Sequence, residues 1–543
     1  MQPDVIRQWL KETFADLWAE VRWSYAPPLM VYLAAGLQGL SAIVGTFFVK
    51  DYLSLSAAFI AGLAFWAGLP WALKMPIGHL VDLIWRWKAL LVYFGASLIS
   101  ASLLIMYGLI AHTEAMRQTM SAEAWFVLAT LLAPIGYVIQ DVVADAMTVE
   151  AVPVVDAEGN PLPEDRIKAQ HTTMQMLGRF AIISGLVIVA LLNITMFQGV
   201  AALTEAQKAD IYANIYLMAL VVPAISAAGV VLNDFQLAHR RRTLLAAGVD
   251  PSKIDALLST PPEDSKPNWW IFGGTGAFAV FTITMGLADI AFAQEIIFVG
   301  SASIIIFLMS RLLNELEPEK ARMLVGTAII LFVFRATPLP GPGLTWFEID
   351  ILRFDQQFLA VLSLITAVLA LAGMVLLRPL MAKKSIAYIV VALTIAAGVL
   401  ALPNIGLYYG VHEVTSRWTG GIVDARFIAI IDTAIESPLG QIAMIPLLAW
   451  IARNAPAHLK ATFFAVMASF VNLALSASSL LTKHLNNAFV ITREVKDNAT
   501  GTVAVPADYG SLGMLLIVVA LLAVLAPLIA VWLVQRSRFN TTE

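Results

Sequence analysis

Not one cysteine occurs in 543 residues. Disulfides, thiolate-ligated zinc, iron–sulfur clusters and thiol nucleophiles are therefore excluded. Charge is scarce as well: 13% of residues are Asp, Glu, Lys or Arg against 59% hydrophobic, with mean hydropathy +0.79, and a soluble globular domain does not have that composition. The 7 His include no close pair on one helix face, so imidazole ligation has little support. Neither a metal nor a cofactor is expected. A net charge of -4 gives no footing for a nucleic-acid partner; in a membrane chain the placement of Lys and Arg carries the information.

The chain is filled instead by apolar runs of about 20 residues, the length a bilayer demands. They lie near 29–49, 55–74, 88–110, 124–148, 171–195 and 211–233, then near 269–288, 295–313, 322–340, 357–378, 385–407, 425–452, 457–485 and 511–535. The pattern predicts an all-α polytopic membrane protein, a 6+6 helix bundle of major facilitator type with one extra transmembrane hairpin, about 14 transmembrane helices in all. The expected divisions are an interfacial helix at 1–28, an N-terminal half at 29–232, a linker at 233–268, the inserted hairpin at 269–313, a C-terminal half at 314–535 and a tail at 536–543. Val5, Trp9, Phe14, Trp18 and Val21 recur at helical spacing among Arg7, Lys11, Asp16, Glu20 and Arg22, as in a helix lying on a leaflet. Alternating the loops puts about 23 Lys and Arg on the side of the linker and termini against roughly 8 opposite, which predicts that side to be cytoplasmic and the protein to sit in the inner membrane. The polar breaks at 150–170 and 490–509 hold turn residues between β-branched ones, so each is expected to form a small hairpin.

Gln140 to Glu150 places Asp141, Asp145 and Glu150 in or at the end of an apolar run. A charge at bilayer depth costs at least ~2.5 kcal/mol and marks a functional site by default. Other polar residues fall at a period: Gln38 on the first run of the bundle, Asp141 and Asp145 on the fourth, Arg335 on the seventh, and Asp432, Glu436 and Gln441 on the tenth. Three-helix repeats whose first helices line a cavity would give every third helix that mark; polar residues that merely join helices would also be tolerated.

Depth suggests partners. At ~1.5 Å per residue, Asp141 and Arg179 lie about 13 Å and about 12 Å from the same face, so they are expected to pair as a gate, with Asp145 answering Arg86 or Arg179. The turn from Gly78 to Lys88 carries Asp82 and Arg86, placed to latch the ends of the two halves. Asp432 and Glu436 share one helix face, and the basic residue on their own run, Arg426, is six positions away. Two carboxylates so close share charge poorly, which suits a proton carrier; hydrogen bonds from Ser469 and Ser476 are the alternative. Arg335 precedes three prolines in Thr337 to Gly343. Freed carbonyls and a fixed cation beside Phe334, Trp346 and Phe347 would seat an aromatic anion, with Trp66 and Trp71 as a stacking face.

Several stretches resemble the folate-biopterin transporter family of the major facilitator superfamily: Tyr32 to Gly39, Phe47 to Ser56, Leu69-Pro70-Trp71-Ala72-Leu73-Lys74, Gly78 to Lys88, Asp141-Val142-Val143-Ala144-Asp145, Phe334-Arg335-Ala336-Thr337-Pro338 and Pro456 to Ser479. The resemblance covers most of 29–195 and 322–535; the 269–313 hairpin departs from it. It implies the facilitator fold and transport of a small organic solute, with folates or pterins as the substrate class; the Asp432 and Glu436 pair adds protons as the expected coupling partner, and no enzymatic activity is expected. Two other readings compete. Asp141-x-x-x-Asp145 and Asp432-x-x-x-Glu436 resemble the paired acidic motifs of intramembrane prenyltransferases, but Asp432 and Asp141 lie about 12 Å and about 26 Å below one face, too far apart for one metal cluster. Permease-like assembly factors for membrane pigment–protein complexes share this fold, and only an assay separates that role from transport.

Overall fold

The computed structural model describes residues 22–53, 55–72, 74–152, 162–246, 248–251, 254, 280–282, 284–285, 290, 292–314, 316–376, 385–437, 460–496 and 503–541. Most of the expected interfacial helix, part of the linker, most of the first arm of the expected hairpin and Gln441 lie outside these residues.

The first membrane helix begins with Pro27 and Pro28 in its opening turn, where a missing N–H leaves no bond unmade. It runs as α1 (Ala26–Leu37), a 3-10 turn at Gln38–Ser41, and α2 (Ala42–Tyr52). The second is α3 (Ala57–Ala72) followed by α4 (Lys74–Leu83). The Gly78 to Lys88 stretch is thus helical as far as Leu83 and only its end, with a 3-10 turn at Trp85–Trp87, is a turn. The helix that starts at Lys74 continues through the polar residues that suggested a turn.

The N-terminal half continues with α5 (Lys88–Ala111), α6 (Ala122–Ala151), α7 (Glu164–Met196), α8 (Glu205–Ala219) and α9 (Val221–Ala246). Ser121 accepts from the Ala124 N–H to cap α6, and Thr204 with Gln207 forms a capping box on α8, each satisfying helix donors that would otherwise face the bilayer edge unbonded. Helix α7 starts at Glu164, inside the stretch expected to form a hairpin, and α9 extends to Ala246, well into the expected linker; amphipathic ends of long helices escape a hydropathy reading.

Next come α10 (Ala293–Leu313), where the second arm of the inserted hairpin was expected, and then α11 (Pro318–Arg335), α12 (Pro342–Asp350), α13 (Gln356–Leu376), α14 (Ile386–Tyr408), α15 (Ala425–Glu436) and α16 (Lys460–Ala488). Strands β1 (Val495–Lys496) and β2 (Val503–Val505) pair antiparallel, as expected for 490–509, before α17 (Leu512–Gln535). Among the described residues, eight helical segments are long and apolar enough to cross a membrane, and Ala57–Trp71 and Ala293–Phe307 are shorter apolar helices.

Close helix crossings depend on glycine. A Cβ on Gly36 would lie 2.0 Å from the Ile182 carbonyl oxygen, and one on Gly136 would lie 2.5 Å from that of Gly95. These contacts bind α1 to α7 and α5 to α6 at backbone range, the packing that replaces the hydrophobic effect inside lipid. The two halves meet along two seams, α3 against α16 and α7 against α13.

Candidate functional site

In the N-terminal half the carboxylates of α6 are answered by Lys74, the first residue of α4. Its Nζ lies 2.5 Å from Asp141 Oδ2 and 2.8 Å from Asp145 Oδ2, and the Tyr32 hydroxyl donates to Asp145 Oδ1 at 2.6 Å. One ammonium with three donors spans two carboxylates a helical turn apart. The expected Asp141–Arg179 pair is therefore corrected: Arg179 is exposed, and Lys74 is the cation on both Asp141 and Asp145. Depth counting along helices found the level but not the neighbour, and Lys74 was not weighed as a partner. The side chains of Asp82 and Arg86 lie outside the described residues. Nearby, Lys88 pairs with Glu150 at 2.5 Å, while Gln140 donates to the Val92 carbonyl and accepts from Ser226, joining three helices.

In the C-terminal half, Arg335 closes α11 at the chain break. Its Nε is buried without a hydrogen-bond partner, and no ion pair holds it among the described residues. The carbonyls expected to be free beside it are not. Ser478 donates to Thr337 O at 2.6 Å, Asn486 to Pro340 O at 3.1 Å, and the Leu339 N–H donates to Thr482 Oγ1 at 2.9 Å, so polar side chains of α16 satisfy the break. Gly341 turns the chain into α12 at φ +79°, and a Cβ there would lie 2.7 Å from Asn486 Nδ2.

The expected aromatic seat is also altered. Trp346 is buried beneath the Arg493 guanidinium at 4.7 Å, and Phe347 packs on Tyr408 and Tyr509; neither is open to a ligand. Phe334 is partly buried against the core around Leu331 and Phe470. Trp71 is half-buried and its carbonyl accepts from Asn472, Trp66 meets Phe65 edge-on, and Gln38 is exposed where α1 gives way to its 3-10 turn.

Asp432 on α15 does have a partner, Asn404 of α14, which donates to Oδ2 at 3.2 Å; its Oδ1 is buried and unpartnered. The serine alternative does not hold: Ser469 Oγ is itself unpartnered, and Ser476 donates within α16 to Asn472 O. Glu436 is exposed, and no hydrogen bond or ion pair holds it among the described residues. Arg426 turns away to Asp355 at 2.9 Å. Sequence reading passed over a third carboxylate, Glu348 of α12, on which the charge of Asp432 acts.

The halves are closed against each other at the end of the bundle away from Arg22 and Thr541, the first and last described residues. Lys50 of α2 pairs with Asp350 of α12 at 2.5 Å, and the Tyr509 hydroxyl donates to the same carboxylate. Gln356 donates to the Tyr212 hydroxyl at 2.6 Å, and Arg493, 3% exposed, donates to the Leu55 carbonyl. Helix α10 joins this end through Glu295, held by Lys483 at 2.7 Å and His484 at 2.8 Å, and through Gln294, which donates to the Gly62 carbonyl.

Comparison with known proteins agrees with this architecture. A POT family transporter solved with 5-aminolevulinic acid superposes with a TM-score of 0.59 at 14% identity, covering 95% of this chain and 96% of that one. The nucleoside transporter NupG gives 0.51 at 11% identity, covering 94% and 99%. A folate-biopterin transporter of Synechocystis sp. is 22% identical over 471 residues, 85% of this chain and 75% of that protein. These are transporters rather than enzymes, and the prenyltransferase reading is set aside with them. The pattern of the BT1 family matches residues 35–542, so this multi-pass membrane chain belongs to the BT1 family of transporters.

Proposed function

We propose that the protein is a secondary active transporter that moves a small aromatic anion of the folate or pterin class by alternating access, coupled to protons, with both termini and the linker on the cytoplasmic side. The observation that carries the reading is Arg335. Arg335 is half-buried, with its Nε buried and unpartnered; a guanidinium so placed without an anionic partner is costly in a membrane helix, and it stands at the break of the helix that begins the C-terminal half. An anionic solute supplies the missing partner, and Arg is suited to carboxylates through its planar fork. Trp71, Phe334 and Gln38 are proposed to contribute to the same binding site, and Gln441 by its sequence position.

Asp432 and Glu436 fit the coupling role, since no described cation holds either of them ionised and both sit on the helix that closes the repeat period. The Lys74–Asp141–Asp145 cluster fits a gate in the opposite half, with Asp82, Arg86 and Arg179 as candidates for its rim. The folate-biopterin relative supports the substrate class.

The test is binding to the purified protein by isothermal titration with folate, biopterin and an uncharged pterin. Arg335→Gln is expected to weaken folate binding by roughly 10-fold to 100-fold, the worth of a charge-assisted hydrogen bond, with Arg335→Lys in between. Equal affinity in wild type and Arg335→Gln would remove the anion seat from Arg335.

A further inference from the structure

Helix α10 stands outside the two six-helix halves, and its contacts divide unequally between them. Along its length it packs with the C-terminal half. Ile305 and Met309 share one core with Leu331 of α11 and Phe470 of α16, and Phe298 packs on Ala474 of α16. Its first turn adds the polar contacts. The Lys483 ammonium of α16 lies 2.7 Å from Glu295 Oε1 and donates to Gln294 Oε1 at 2.9 Å, and His484 Nε2 lies 2.8 Å from the same Glu295 oxygen.

Toward the N-terminal half the same turn reaches α3. Gln294 Nε2 donates to the Gly62 carbonyl at 3.3 Å, and Ile297 joins Phe65 and Leu69 in a small apolar cluster with Leu480 of α16. A Cβ on Gly62 would lie 3.2 Å from Gln294 Nε2 and 3.3 Å from Lys483 Cδ, so a glycine is what lets α3, α10 and α16 converge on one point of the seam. The two attachments differ in kind. Bonds to charged groups are about twice as strong as neutral ones, and α16 supplies two of them to Glu295. The hold on α3 is one long neutral bond and apolar packing, and in lipid apolar contacts between helices are exchanged for contacts with acyl chains at little cost. When the seam between α3 and α16 opens, α10 therefore leaves α3 and stays on α16.

We propose that α10 is a strap carried by the C-terminal half: Lys483 and His484 pin it through Glu295, and Gln294 reaches over the seam to the Gly62 carbonyl, a contact made while this end is shut and released when it opens. The strap lies at the end where Lys50 meets Asp350 and Arg493 donates to the Leu55 carbonyl. It adds one polar contact, from a helix outside both halves, to those that hold this end closed. The proposal rests on the alternating access read above. It gives the inserted helix a part in the opening equilibrium without placing any of its residues on the solute.

The chain has no native cysteine, so pairs of spin labels drawn from Leu104→Cys on α5, Val299→Cys on α10 and Leu402→Cys on α14, all exposed, can be measured by pulsed electron resonance in lipid nanodiscs. Lys50→Gln, which removes the latch on Asp350, supplies the open state without any solute. On that change the Leu104–Leu402 and Leu104–Val299 distances should lengthen together, while Val299–Leu402 keeps one narrow distribution. Gln294→Leu alone should raise the ratio of open to closed in the Leu104–Leu402 pair by roughly 2-fold to 10-fold, the worth of one neutral hydrogen bond. Glu295→Gln should broaden Val299–Leu402, because α16 loses the anion that pins α10. A Val299–Leu402 distance that lengthens on opening while Leu104–Val299 stays fixed overturns the proposal, as does a Leu104–Leu402 distribution that neither Lys50→Gln nor Gln294→Leu shifts. Solute uptake is measured separately: if wild type accumulates nothing while the three distances still behave as described, it is the transport reading that falls and not the strap.

Discussion

Lys74 shows what one residue does to a buried pair of acids. It holds Asp141 and Asp145 together, and removing it strands two carboxylates in α6. Lys74→Gln is expected to destabilise the protein by about 1–3 kcal/mol, the cost of leaving a partly buried charged group unpaired, and Asp141→Asn by less, because Lys74 keeps Asp145. The double variant should recover part of the loss because the stranded partner is gone as well. Thermal unfolding followed by size-exclusion fluorescence measures this; strictly additive losses would mean that the pair is not coupled. The same cycle between Asp141 and Arg179, whose charge acts on Asp141 without an ion pair, should show a smaller coupling. The acids were legible from their depth in an apolar run. Their cation was not, because it comes from another helix and no spacing in the sequence records which helices touch. Arg335 was legible for the opposite reason: the residue and the proline-rich break that sets it apart are contiguous in the chain.

At the scale of elements, hydropathy located most membrane helices to within a few residues, as at α5, α13, α14 and α17, because length and apolar content are what the bilayer demands. It did not find where helices bend or extend past the apolar zone: α4 in place of a turn, the early start of α7, the run of α9 to Ala246, the 3-10 turn at Gln38–Ser41. Those features depend on backbone hydrogen bonding, to which a hydropathy window is blind. Nor does it weigh glycine by its neighbours. Gly136→Val drives a side chain into the Gly95 carbonyl and Ile99, and should cost about 1–3 kcal/mol as α5 and α6 are forced apart; Gly62→Ala, whose added methyl meets only movable ends of Gln294 and Lys483 at 3.2 Å and beyond, should cost less. Parallel melting curves of the two variants check the order, and equal losses would show that the α5–α6 crossing tolerates separation.

On the scale of the whole molecule, two helical halves meet along α3–α16 and α7–α13, with Lys50–Asp350, Gln356–Tyr212 and Arg493–Leu55 bridging one end. A bundle shut at one end by a few polar contacts, rather than by a continuous apolar core, can rock between two states at modest cost. The period of polar residues along the chain announced the two halves; the contacts that close them join residues as far apart as Lys50 and Asp350 and could be seen only when folded. The central claim is that this rocking carries an anionic solute with protons. The most direct measurement is folate uptake into proteoliposomes with an imposed pH gradient, acidic outside. The account predicts accumulation above the external concentration, abolished by a protonophore and by Arg335→Gln. Folate that only equilibrates across the membrane, or accumulation that persists undiminished with the protonophore present, would contradict it.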